Sequence, residues 1–167
     1  MNTGNNGNRQ VSGGEVFSTI NRSPVLLAGL AALLVLISLV IPFLGARTNL
    51  GMGVDQSGSL SGAQAAGWTG WVTLILFVAA AAARKVGELA PYRSLIDIAA
   101  LVMCLVTLVW AWFKNPISEG LAQMTQALGR TGGPSPVSIY PHIGMIVLLV
   151  AAGLLVLARI RGKSATV

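Results

Sequence analysis

Charge is scarce in this chain. Only 10% of its 167 residues are Asp, Glu, Lys or Arg, against about 25% in soluble domains, so it is not an ordinary water-soluble globule. There are five acids, one histidine and one cysteine, scattered along the sequence. No H-E-x-x-H, C-x-x-C, P-loop or G-x-S-x-G pattern occurs. Catalysis needs convergent groups such as a nucleophile with its base, paired carboxylates or a metal cluster. The expectation is therefore a protein that is not an enzyme and has no metal site. Cys104 has no partner for an internal disulfide and reads as a small apolar packing residue. Ion-coupled carriers place Asp, Glu, His or Arg at mid-membrane, or break helices there with Gly and Pro. The apolar segments here lack such groups: Pro42 lies near a segment end, and Ser38, Thr73 and Thr107 can each bond their own backbone.

What is abundant is apolar sequence. Hydrophobic residues make up 54% of the chain, concentrated at about 25–45, 63–83, 94–113 and 139–158. Each segment is close to the roughly 20 residues that cross about 30 Å of hydrocarbon at 1.5 Å per residue. The expected fold is an all-α membrane protein with four transmembrane helices. The second segment is the weakest, because Ala79 to Ala83 adds little hydrophobicity; its tryptophans at one end and Arg84-Lys85 at the other favour a crossing. The expected plan is a polar tail over 1–23, a transmembrane domain over 24–159 and a basic tail over 160–167. The first span reads as an anchor rather than a cleaved signal. Its polar leader is long and poor in Lys and Arg, its apolar run exceeds a signal h-region, and no A-x-A site follows.

The net charge of +6 arises from residues that flank the spans, not from a basic stripe with aromatics, so no nucleic-acid partner is expected. Arg9, Arg22, Arg84, Lys85, Arg93, Arg159, Arg161 and Lys163 fall on one side of the membrane, and Arg47, Lys114 and Arg130 on the other. That imbalance predicts both termini in the cytoplasm. Phe43, Trp68, Trp71, Trp110, Trp112, Phe113 and Tyr140 gather at the outer ends, with only Tyr92 placed equivalently inside. Such a belt anchors proteins at the headgroups, and the four tryptophans on one side are also a candidate docking surface.

Local signals mark the ends of the spans. Ser23-Pro24 reads as a cap followed by the first helical residue, and "SLID" at Ser94 to Asp97 as a capping box. "KVGELAPYR" is a short turn joining antiparallel neighbours. Small residues such as Ala28, Ala32 and Ala151 permit close helix approach. The first outer loop, "GARTNLGMGVDQSGSLSG", has no apolar periodicity and is expected to be irregular. In the second, Ile117, Leu121, Met124 and Leu128 share one helical face, predicting a short amphipathic helix on the membrane surface or a partner.

His142 follows a proline at the mouth of the last span. Pro141 suits the first turn of that helix, which places the imidazole near the outer headgroups. It is expected to bind nothing. As the only histidine it also remains the candidate ligand for a bacteriochlorophyll or haem.

The tetraspan layout with unlike outer loops is loosely similar to that of claudin-like proteins. "GWTGW" at Gly67 to Trp71 departs from their loop of one tryptophan and two cysteines, so no family is assigned. The functional expectation is a non-catalytic accessory or assembly subunit of a larger bacterial inner-membrane complex, respiratory or photosynthetic. Its partners would be the lipid bilayer and other integral membrane subunits. A small oligomeric transporter or channel, and a pigment- or haem-binding subunit using His142, stay open as alternatives.

Overall fold

The computed structural model describes residues 23–49, 55–114 and 137–164. The chain is mostly helical, with α1 at Pro24–Val40, α2 at Gly62–Ala66, α3 at Trp68–Ala82, α4 at Arg93–Phe113 and α5 at Ile143–Ser164. A small antiparallel sheet accompanies them, with β1 at Pro42–Asn49, β2 at Asp55–Ser61 and β3 at Val137–Pro141, in the order β2-β1-β3. Two helical segments, Gly87–Phe113 and Ile143–Gly162, are long and apolar enough to cross a membrane; α1 and α3 are shorter apolar helices. The helices pack in a ring, with α1 beside α3 and α5, and α4 beside α3 and α5.

The sheet is the main departure from the all-α expectation. The loop expected to be irregular supplies two antiparallel strands, β1 and β2, and the residues before the last helix form the third strand of their sheet. Ala46 pairs with Gly58 on one side and Ile139 on the other. Local composition hides this, because the Gly- and Ser-rich β2 has little strand propensity. What holds it is pairing with residues far away in sequence. A bulge at Phe43, between the Pro42–Ser61 and Leu44–Leu60 pairs, lets two successive large side chains be buried. Phe43 and Leu44 are both core residues, so Phe43 is not part of an aromatic belt.

The strands also redraw the helix limits. The first helix stops at Val40, not Gly45, since Pro42 has no N–H to continue it. The last begins at Ile143, and Pro141 closes β3 instead of opening the helix. The second segment is broken at Gly67, whose φ of 55° and ψ of −134° suit a residue without a Cβ. Just before it, Ser61 and Gln64 form a reciprocal capping box at the start of α2. Gly62 meets the end of α1 closely. A Cβ there would overlap the Ser38 carbonyl oxygen and lie 2.7 Å from Leu39 Cα.

Ser23 does cap α1, accepting the Leu26 N–H, with Pro24 in the first turn. The interior is built largely from small side chains: Ala28, Ala31, Ala80, Ala100, Ala151 and Ala158 are all fully buried, allowing the close helix approach their spacing suggests. Phe77, Leu148 and Leu155 fill the remaining space.

Candidate functional site

The two ends of the bundle carry different chemistry. At the sheet end, the break at Gly67 starts α3 with Trp68, and Trp71 follows one turn later on the same face. Both remain exposed, at 61% and 52%. Trp68 meets Trp110 of α4 edge-on, with ring centroids 6.1 Å apart, the geometry favoured by aromatic quadrupoles. Trp112 and Phe113 are also exposed near the end of α4. Three of the four expected interface tryptophans thus lie along one edge of α3 and α4, with Trp112 on the last turn of α4. The other expected contacts, Ile117, Leu121, Met124 and Leu128, lie outside the described residues.

His142 sits on the linking residue between β3 and α5. Its backbone N–H donates to the Phe43 carbonyl at 3.0 Å, and its own carbonyl accepts the Met145 N–H at 3.1 Å. The residue is only partly exposed, and its Nδ1 is buried without a hydrogen-bond partner. The Tyr140 ring lies 6.3 Å away, tilted by 35°, and crosses over Gly45, its partner in the β1–β3 register. His142 is thus wedged at a strand–helix corner and fixed there through its main chain. Among the described residues, no group of three or more His, Cys, Asp or Glu is placed to hold a metal ion.

Between the ends runs a polar seam. The Thr73 and Thr107 hydroxyls are 2.8 Å apart across the α3–α4 interface, and Thr107 also donates to the Thr69 carbonyl at 3.1 Å. Ser38 bonds its own helix, as expected, through the Val35 carbonyl, and Thr69 reaches back across the Gly67 break to the Ala66 carbonyl at the end of α2. Thr73 and Thr107 instead join two helices, and their relation across 34 residues leaves no local signature. All four polar side chains are buried and paired, as a low-dielectric interior requires.

The end opposite the sheet holds the charged site. Arg84, just past α3, reaches Asp97 in the second turn of α4 through two parallel hydrogen bonds of 2.9 Å each. Both side chains are 1% exposed. Arg84 Nη1 also donates to the Ala80 carbonyl at 2.6 Å. Asp97 is therefore not the far half of a capping box: the cap position of α4 is Tyr92, without a side-chain cap bond. The fork of a guanidinium matches a carboxylate's two oxygens, and that pairing wins over the weaker bond to a helix N-terminus. The short 83–92 turn leaves α3 and α4 antiparallel neighbours and so brings Arg84 to Asp97. On the same end, Arg159 of α5 donates to the Ser94 hydroxyl at 3.1 Å, while Arg93 Nε is buried and unpartnered.

No protein-family model matches the chain, and no curated protein matches it significantly.

Proposed function

We propose that this chain is a four-span bacterial inner-membrane protein that serves as a non-catalytic accessory or assembly subunit, docking on a larger integral membrane partner through its tryptophan-bearing end. The membrane part of the reading is supported by an inside-out distribution of polarity. The outward faces are apolar: Leu95, Ile98, Val102, Leu105 and Val109 of α4 are all exposed. The polar Ser38, Thr69, Thr73, Thr107, Arg84 and Asp97 are buried. A core helix of a water-soluble protein is mostly covered by its neighbours, whereas only 28% of each long apolar window is buried here. Soluble monomers rarely expose apolar patches beyond a few hundred Å²; hydrocarbon is the medium that suits these faces.

Two of the four spans are short. The 17 residues of α1 and 15 of α3 extend only about 26 and 22 Å at 1.5 Å per residue. The five residues of α2 and the sheet lengthen that side, and tilt or local thinning of the bilayer accommodates the remainder. Both connections to the sheet then lie outside, and the Lys and Arg imbalance puts both termini in the cytoplasm. With Cys104 replaced by Ala, an impermeant thiol reagent applied to intact cells should modify a cysteine placed at exposed Ser57 and not one placed at Ser164. The reverse pattern overturns the orientation.

The observation that carries the docking role is the pair of exposed indoles, Trp68 and Trp71, backed by Trp110. Tryptophan is among the residues most enriched at interface hot spots, where truncation costs about 2 kcal/mol or more. A rigid aromatic edge that a neighbour can cover fits a subunit better than a free-standing carrier. Purification in mild detergent tests this. Co-isolation with larger membrane subunits, lost when Trp68 and Trp71 are both replaced by Ala, supports the role. A homo-oligomer alone, indifferent to those substitutions, favours the small transporter or channel instead.

A further inference from the structure

The end of the bundle opposite the sheet contains a cleft of about 210 Å³ between the start of α4 and the last turns of α5. Its walls include Arg93, Ser94, Asp97, Arg159 and Gly162. This volume is below the roughly 300–1,000 Å³ of pockets for drug-sized ligands. At about 30 Å³ per water molecule, it has room for a group of several heavy atoms. The size suits a headgroup fragment better than a whole metabolite.

Its charge is one-sided. Asp97 is the acid on the wall, but each of its oxygens already accepts an N–H from Arg84 at 2.9 Å. That neutralises the carboxylate and leaves two guanidinium groups, Arg93 and Arg159, on the same cleft. Arg93 Nε is buried with no hydrogen-bond partner, a donor whose desolvation is uncompensated. Arg159 Nη2 donates to Ser94 Oγ; because that oxygen accepts, the hydroxyl hydrogen is left to donate. Donors converge here, and the acceptor that would complete the arrangement is an oxyanion. The last turn of α5 at Gly162 lies near Arg93: an added Cβ would sit 3.9 Å from Arg93 Nη1, so the guanidinium lies against that turn.

We propose that this cleft binds a phosphate group, held by Arg93, Arg159 and the Ser94 hydroxyl. Guanidinium groups match phosphate oxygens through paired N–H donors. Basic pockets between transmembrane helices at the cytoplasmic face recognise anionic phospholipid headgroups. The inference rests on the membrane-spanning reading but is independent of the accessory role. The same chemistry serves a phosphodiester carried by a lipid and a free phosphate from solution, and the two are separable by experiment.

Each surface arginine contributes about a fivefold gain in affinity for an anionic headgroup, so two contribute about thirtyfold. Purified protein in nanodiscs of phosphatidylcholine doped with phosphatidylglycerol, analysed by native mass spectrometry, should retain phosphatidylglycerol preferentially. Arg93→Gln with Arg159→Gln should reduce that retention about thirtyfold. Ser94→Ala, a milder change that keeps every charge, should reduce it several-fold and guards against misfolding of the double variant. Excess inorganic phosphate that fails to displace the lipid identifies a headgroup site; displacement by phosphate, with a rise in unfolding temperature that the double variant lacks, identifies a free-phosphate site. Equal retention of phosphatidylglycerol and phosphatidylcholine by the folded wild type, with no effect of phosphate, overturns the proposal. Carbonate extraction of native membranes is the separate control: release of the protein sinks the membrane-spanning reading itself, whereas retention leaves the cleft as the sole claim under test.

Discussion

Breaking the Arg84–Asp97 pair from one side should be far more damaging than removing it altogether. Both side chains are 1% exposed, and they meet through two bonds of 2.9 Å. Asp97→Ala leaves Arg84 with the Ala80 carbonyl as its described partner, a buried cation that has lost its counter-ion. Arg84→Ala strands a carboxylate in the same place. Removing one member of a buried pair costs about 3–5 kcal/mol, because the surviving charge keeps its desolvation penalty and loses its compensation. Two unit charges about 4 Å apart at an effective dielectric of 20 interact by about 4 kcal/mol, which agrees. A domain's whole stability is about 5–15 kcal/mol, so either single substitution consumes a large fraction of it.

The double variant Arg84→Met with Asp97→Leu removes both charges and both penalties while keeping most of the volume. It should return to within about 1–2 kcal/mol of the wild type, since apolar replacements of buried ion pairs are often neutral or better. Denaturant unfolding in detergent micelles, followed by helical circular dichroism, measures the four corners of a closed cycle: wild type, Arg84→Met, Asp97→Leu and the double variant. With singles costing about 3–5 kcal/mol each and the double about 1–2, a coupling energy of about 4 kcal/mol or more between the sites is expected. Single variants that each lose less than about 1 kcal/mol would place the pair among solvent-exposed bridges, and the argument from burial would be wrong.

Two other outcomes follow from backbone geometry. Gly62→Ala must push α2 off the Ser38 and Leu39 backbone, and overpacking of this kind costs about 1–3 kcal/mol; Gly58→Ala, where an added Cβ meets nothing, is the control, and equal unfolding midpoints for the two would contradict the close approach. His142→Leu should leave abundance nearly intact, because the residue is held through its main-chain bonds to Phe43 and Met145 and the unpartnered Nδ1 loses nothing; disappearance of one visible chromophore per chain would instead make α5 a haem- or pigment-binding helix.

The helices were legible in the sequence because each segment carries its own evidence: apolar length, a Ser-Pro start, a basic stop. The tryptophan grouping was legible too, since Trp68, Trp110 and their neighbours lie at ends that hydropathy alone locates. The sheet was not. β1 and β3 pair across nearly a hundred residues of sequence, and β2, on the other side of β1, is Gly- and Ser-rich. The alternation Leu44, Gly45, Ala46, Arg47 hints at a strand, with Leu44 and Ala46 buried and Arg47 exposed, but it is short and begins beside a bulge. The Ser61–Gln64 box had a readable S-x-x-Q signature. Asp97 misled because Ser94 with Asp97 also matches a capping pattern; only the turn geometry reveals that Arg84, thirteen residues earlier, is the better partner.

These contacts divide the work of assembly unevenly. The sheet and the glycine contact tie α1, α2 and α5 together through backbone, where Gly62 meets α1 and His142 bonds Phe43. The described contacts of α4 with its neighbours include a different kind: Thr107 to Thr73, Asp97 to Arg84, Ser94 to Arg159 and Trp110 to Trp68. On the membrane-spanning reading proposed above, lipid tails are as apolar as leucine, so helices gain little by associating through leucine alone. Small residues and interhelical polar bonds then decide how a helix is placed. Ala100, Ala111 and Cys104 give α4 its close approach, and the polar contacts fix its rotation. Loss of the Arg84–Asp97 pair should therefore loosen α4 before it affects the sheet. Hydrogen exchange would register this as faster exchange in α4 amides with β1 still protected, the signature of a bundle whose two ends are secured by different physics.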